Sequence, residues 1–179
     1  MGTKRDMNAQ KKISDFLLDK AGEKMYLSQI AKNSGASVST CSQVLERLTG
    51  DNFALKDKYG NLSQFYLDLN NPLTRQRKVT RTVELLQPLI NDLKEFSQKI
   101  ILFGSAAEGT DRAESDIDLF ILTNEKSRAQ KIISGAKLDK KIQAVIKNML
   151  EFVEMKEKDK FFYEEIKKGT VLWEEKNEE

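Results

Sequence analysis

The residues best equipped for chemistry lie in one stretch of the C-terminal half: Gly104-Ser105, a second glycine at Gly109, then Ser115-Asp116-Ile117-Asp118-Leu119. Gly104 follows the apolar run Ile101-Leu102-Phe103, so the chain can turn sharply there and a phosphate can approach without meeting a Cβ. The Ser105 hydroxyl can donate to a phosphate oxygen. Backbone N–H groups at the start of the following helix, around Ala106 and Ala107, add donors and a positive dipole end. Asp116 and Asp118 stand two apart on a strand, which sends both carboxylates to one face. That pair can hold magnesium (or manganese) through oxygen ligands that also bind a triphosphate. The plainer reading is a pair of aspartates solvating an edge strand. Against it, aspartate is a poor strand former, and here two of them interrupt an apolar run directly after a glycine-rich turn.

These residues need elements to position them. Lys99–Phe103 reads as a strand, Ile117–Leu122 as a second and Lys141–Lys147 as a third, with a helix over 126–137 between the last two. Helices over 148–156 and 160–168 follow, with Gly169 a candidate helix cap, and Val171-Leu172-Trp173 closes as a strand. The resulting sheet is small and mixed.

This arrangement resembles the nucleotidyltransferase superfamily that includes DNA polymerase beta, in its minimal form, over most of residues 99–179. The resemblance implies transfer of a nucleoside monophosphate from a triphosphate to a protein or small-molecule acceptor, with divalent metal. It implies Asp116 and Asp118 as catalytic and metal-binding residues, and Gly104, Ser105, Gly109 and Ser115 as nucleotide-binding residues. Active relatives usually add a third carboxylate from a later strand. The matching position here is Gln143, and Asp139 substitutes for it only in a register shifted by several residues. Ala106 stands where relatives often carry a larger or basic residue.

The N-terminal part reads differently. Ile13, Phe16 and Leu17 fall at helical spacing over 8–20, and 27–33 forms a second short helix. Ser34-Gly35-Ala36 makes a turn, and Ser37 caps a third helix over Val38–Leu48. Val38, Cys41, Val44, Leu45 and Leu48 form its apolar face. A hairpin follows, from Phe53 to Leu69 around a turn at 58–61. This order resembles winged helix-turn-helix regulators over roughly residues 1–71. The polar face of the third helix, Ser39, Thr40, Ser42, Gln43 and Arg47, then suits base edges in a major groove, and Lys56 and Lys58 on the wing suit phosphates. The alternative is a winged helix used for protein contacts alone. Residues 72–98 read as a connecting helix with Val79, Val83, Leu86, Ile90 and Leu93 inward, kinked or split at Pro88. Its basic run Thr74–Thr82 reads as a solvated face. The fold class is thus α/β (α+β).

Composition narrows the options. No histidine is present, which excludes His-based triads and zinc fingers, and the single cysteine, Cys41, forms no internal disulfide and fits a reducing cytoplasm. Cys41 falls on an apolar face and reads as inert packing. The polar stretch Met1–Lys12 does not read as a secretory signal, and no run reaches the roughly 20 apolar residues that span a bilayer. Residues 1–98 hold 15 Lys+Arg against 11 Asp+Glu, and residues 99–179 hold 15 against 17. A basic half facing a polyanion and an acidic half facing cations follow from that split.

Three functions stay open on the sequence. The first is a nucleotidyltransferase coupled to double-stranded DNA through the winged helix. The second is a DNA-binding transcriptional regulator whose degenerate C-terminal domain senses nucleotide or scaffolds. The third is an interaction protein. Winged helices often pair to read half-sites, so a homodimer is one candidate assembly.

Overall fold

The computed structural model describes residues 4–176. They form two compact units, one ending at Lys78 and one beginning at Val79.

The first unit runs α1 (Lys4–Asp19), β1 (Met25–Tyr26), α2 (Leu27–Ser34), α3 (Val38–Gly50), β2 (Leu55–Tyr59) and β3 (Leu62–Tyr66). Gly35 ends α2 at φ +69°, the left-handed geometry that a helix C-terminus favours for glycine. Ser37 then starts α3, its hydroxyl accepting the Thr40 N–H at 3.1 Å. The hairpin β2–β3 is joined by β1, which lies antiparallel to β3 with Met25 opposite Phe65. Ile13, Leu17, Ile30, Leu45 and Leu67 are fully buried in the core beneath. Cys41 is buried there too, and burial pushes its thiol up to about 11, so it stays protonated and inert at neutral pH.

Two sequence expectations change in this unit. Helical spacing assigns Val38 to the apolar face of its helix, yet it is 57% exposed. It is the first residue of α3, where the helix has not yet turned onto the core. The basic run after Pro72 is not simply a wet face either. Thr74 and Lys78 are buried, and Lys78 Nζ donates to the Leu18 carbonyl at 3.2 Å. Arg77 stacks its guanidinium 4.1 Å from the Phe53 ring centre. Cationic stems here cover apolar surface while their heads find acceptors.

Helix α4 (Pro72–Leu93) runs unbroken through Pro88 rather than splitting there. Pro88 is exposed, while Leu86, Leu89, Ile90 and Leu93 around it are buried. Apolar burial on both sides of the proline offsets the one backbone hydrogen bond it removes.

The second unit continues with β4 (Lys99–Phe103), α5 (Gly104–Glu108), β5 (Ile117–Leu122), α6 (Lys126–Gly135), β6 (Ile142–Lys147), α7 (Met149–Lys158), α8 (Lys160–Lys167) and β7 (Thr170–Glu174). The sheet order is β6-β5-β4-β7; β5 and β6 are parallel and the other neighbours antiparallel. Alternation along β5 divides the interior. Leu119 and Ile121 join one core with Leu86, Ile90 and Ile133, and Phe120 and Leu122 join another with Met155 and Ile166. Gly169 is not a left-handed helix cap. A Cβ there would collide with the Leu102 carbonyl and lie 2.7 Å from Ile101 Cγ2, beside the β4–β7 register shift at Ile100/Ile101. Its role is close strand approach. Among the described residues no helix is long and apolar enough to cross a membrane.

Candidate functional site

Strand β4 delivers the chain to a turn that only a residue without a side chain fits. Gly104 has φ +66°, and a Cβ on it would lie 2.5 Å from Asp118 Oδ2. The reason is register: Asp118 on β5 pairs with Phe103 on β4, the residue just before Gly104. The glycine turn and the carboxylate are therefore in direct contact. The sequence gives this glycine a role toward phosphate. The structure adds that its missing side chain makes room for the aspartate.

Ser105 sits half-buried in α5, and its carbonyl accepts the N–H groups of Gly109 and Thr110. Gly109, expected among nucleotide-binding residues, is buried and ends α5 at φ +68°. Ala106 is also buried, in the core with Leu86, Ile90 and Leu93 of α4. Ser115 closes a local turn: its hydroxyl accepts the Arg112 N–H at 2.9 Å, and its own N–H donates to the Arg112 carbonyl. Asp116 and Asp118 are both half-buried. The proton affinity of Asp118 is raised, first because burial penalises its charge and second because Asp116 repels it.

On the β6 side of β5 the register sets which residue stands opposite Asp118. Gln143 of β6 lies directly opposite Asp118. Asp139 lies in the loop before β6. Consistent with that, no group of three His, Cys, Asp or Glu suited to a metal stands together among the described residues. Asp116 lies just before β5 and outside the sheet, while Asp118 and Gln143 stand opposite each other within it.

Sequence reasoning missed the residues that hold the loop into Asp116. Asp111 is buried, and Lys140 Nζ lies 2.5 Å from its Oδ2 while also donating to the Arg112 carbonyl at 2.9 Å. The partners are 29 residues apart, and no local pattern announces such a pair.

In the first unit the expected DNA-facing residues do not form one uniform surface. Ser39 and Gln43 are exposed and Ser42 is half-buried, but exposed Glu46 shares their face of α3. Thr40 is hydrogen-bonded to Ser37 through its hydroxyl at 2.8 Å. Arg47 donates to Gln10 Oε1 at 3.0 Å and so leans toward α1. On the hairpin, Lys56 lies over the Phe65 ring and Lys58 is exposed opposite Ser63.

Residues 84–178 match the family model for the polymerase beta nucleotidyltransferase domain, and the chain belongs to that family. No curated protein matches the sequence. Among solved structures, a presumptive nucleotidyltransferase from Sulfolobus solfataricus is similar at 13% identity and TM-score 0.39, over 56% of this chain and 86% of that one. HmgR from Pseudomonas aeruginosa is similar at 15% identity and TM-score 0.30, over 56% and 42%. A mutant of the toxin–antitoxin complex MntA–HpeT is similar at 22% identity and TM-score 0.30, over 54% and 73%.

Proposed function

We propose that the second unit binds a nucleoside triphosphate beside Gly104 and Ser105, with a divalent cation on Asp116 and Asp118, and transfers its nucleoside monophosphate to an acceptor hydroxyl. The observation that carries this reading is the contact between the Gly104 turn and Asp118, which sets a phosphate cradle against a carboxylate. The residues present fit a hard cation. Two half-buried carboxylates two residues apart offer the oxygen ligands that a hard cation takes, and a cation relieves first the cost of burying the Asp118 charge and then its repulsion by Asp116. Magnesium (or manganese), when bound, supplies neutralisation of charge developing on the leaving pyrophosphate. The backbone of the glycine turn and the Ser105 hydroxyl orient the phosphates.

Gln143 sets the limit of this chemistry. Its amide neither accepts the acceptor's proton nor balances a second cation. Restoring the carboxylate tests the reading: with water standing in as the acceptor, Gln143→Glu is expected to raise magnesium-dependent cleavage of ATP to AMP and pyrophosphate above the wild-type rate, in a continuous assay that couples pyrophosphatase to phosphate detection. Calorimetric titration accompanies it. A wild-type protein that binds none of the four common nucleoside triphosphates, with magnesium or manganese, overturns the proposal.

A second reading is favoured by the same Asp118–Gln143 register: a nucleotide-sensing regulator without turnover, reading double-stranded DNA through the first unit as a winged helix-turn-helix. The helix–turn–helix–hairpin order and exposed Ser39, Gln43 and Lys58 support it, and Glu46 weighs against it. Under this reading Lys58→Ala weakens DNA binding evenly across sequences and reduces the salt slope by about 1. Gel shifts at several salt concentrations decide it, and binding indifferent to salt contradicts a phosphate contact. A cytoplasmic setting and a homodimer belong to this proposal, and sedimentation with and without DNA tests the second.

A further inference from the structure

The ion pair between Asp111 and Lys140 lies outside the residues that the chemistry above invokes, yet it brackets one of them. We infer that Lys140 is a positioning residue for Asp116, holding from the α6–β6 loop the segment that presents this carboxylate. The inference rests on reading Asp116 as a cation ligand.

The argument begins with burial. Asp111 is 3% exposed in a segment that has neither helix nor strand. A carboxylate in such a place must be partnered, and Lys140 Nζ meets it at 2.5 Å. The same ammonium donates to the Arg112 carbonyl at 2.9 Å. That carbonyl also accepts the Ser115 N–H at 3.1 Å, while the Arg112 N–H donates to Ser115 Oγ. Lys140 thereby grips the turn whose far end is Ser115, the residue before Asp116. The next residue along, Lys141, accepts the Ile117 N–H at 2.8 Å through its carbonyl. Asp116 is suspended between these two holds, both made by consecutive residues of one loop.

The chemistry explains why a lysine suits the place. Its single ammonium can serve a carboxylate and a carbonyl together, which a neutral donor at the same point does less well. Asp111, buried against that ammonium, acts as an anchor for Lys140. Outer partners of this kind typically set ligand affinity by about 10–100-fold.

Two measurements on the full chain test this. In backbone hydrogen exchange without nucleotide, Lys140→Met is expected to raise exchange about 10-fold or more at 112–117, and Lys140→Arg, which keeps a cation and donors, to leave it near wild type. In calorimetry with magnesium and ATP, the double variant Asp111→Asn/Lys140→Met removes both charges, so its unfolding midpoint recovers from the fall seen in Lys140→Met alone. Its magnesium–ATP affinity is nonetheless expected to stay about 10–100-fold below wild type. A double variant that binds like wild type overturns the inference, as does unchanged exchange at 112–117 in Lys140→Met. Loss of binding in Asp111→Asn with exchange unchanged also overturns it, because Asp111 is then itself a ligand. If the wild type binds no magnesium–ATP, the proposed function falls, and exchange alone decides whether Lys140 holds the segment.

Discussion

Gly104→Ala is expected to lower the unfolding free energy by about 2–5 kcal/mol and to abolish magnesium-dependent nucleotide binding in the protein that remains folded. Two costs act together. An alanine at φ +66° pays about 1–2 kcal/mol for left-handed backbone. Its Cβ also enters space that Asp118 Oδ2 fills at 2.5 Å, an overpacking of the kind that costs about 1–3 kcal/mol. The Asp118 backbone is held by its pairing with Phe103 on one side and Gln143 on the other, so relief comes by rotating the carboxylate or moving the turn. Either displaces a cation ligand from the phosphate cradle. Urea unfolding and calorimetry check the two arms. A variant of wild-type stability that still binds magnesium–ATP contradicts the geometry on which the site is built.

That contact also shows what the sequence makes legible and what it conceals. Gly104 and Asp118 are both conspicuous by type, and strand alternation places the two aspartates on one face, so the pair and its glycine turn can be named from spacing. Gln143 can be named too, but only through the resemblance to nucleotidyltransferases that carry a third carboxylate on a later strand; its place opposite Asp118 comes from the β5–β6 register in the structure. What spacing cannot supply is the direct contact between Gly104 and Asp118, which depends on a particular antiparallel register between β4 and β5. Helix periodicity serves best in the interior of an element. Val38 shows its weakness, since an apolar residue at the first position of a helix satisfies the pattern without reaching the core. Lys78 and the Asp111–Lys140 pair escape for another reason. Charged residues are read as solvated by default, and their burial is decided by partners distant in sequence. Strand β1 has two residues, too few for any period, and exists because Met25 and Tyr26 find β3 in space.

Asp118→Asn is expected to separate stability from function: nucleotide binding is lost while the folded state gains. Asparagine has the shape of aspartate, so the packing against Gly104 is kept, but a neutral amide is a poor ligand for a hard cation. The loss in magnesium–ATP affinity should exceed the roughly 10–100-fold that removing an outer partner costs. The stability change follows from proton linkage. In the folded state Asp118 holds its proton more tightly than in the unfolded chain, from burial first and from Asp116 second. Its charge therefore costs stability. The cost is absent below the ordinary aspartate pKa, grows as pH rises toward the raised folded value, and is complete above it. The asparagine variant escapes it, so its melting temperature should match wild type near pH 3 and exceed it at pH 7 in chelator. Added magnesium should close that gap by stabilising the wild type and leaving the variant unmoved. Thermal scans at the two pH values, with and without magnesium, read all of this. A variant that melts below wild type at pH 7 in chelator would mean that the Asp118 charge is compensated within the fold, and the cation would lose its electrostatic rationale.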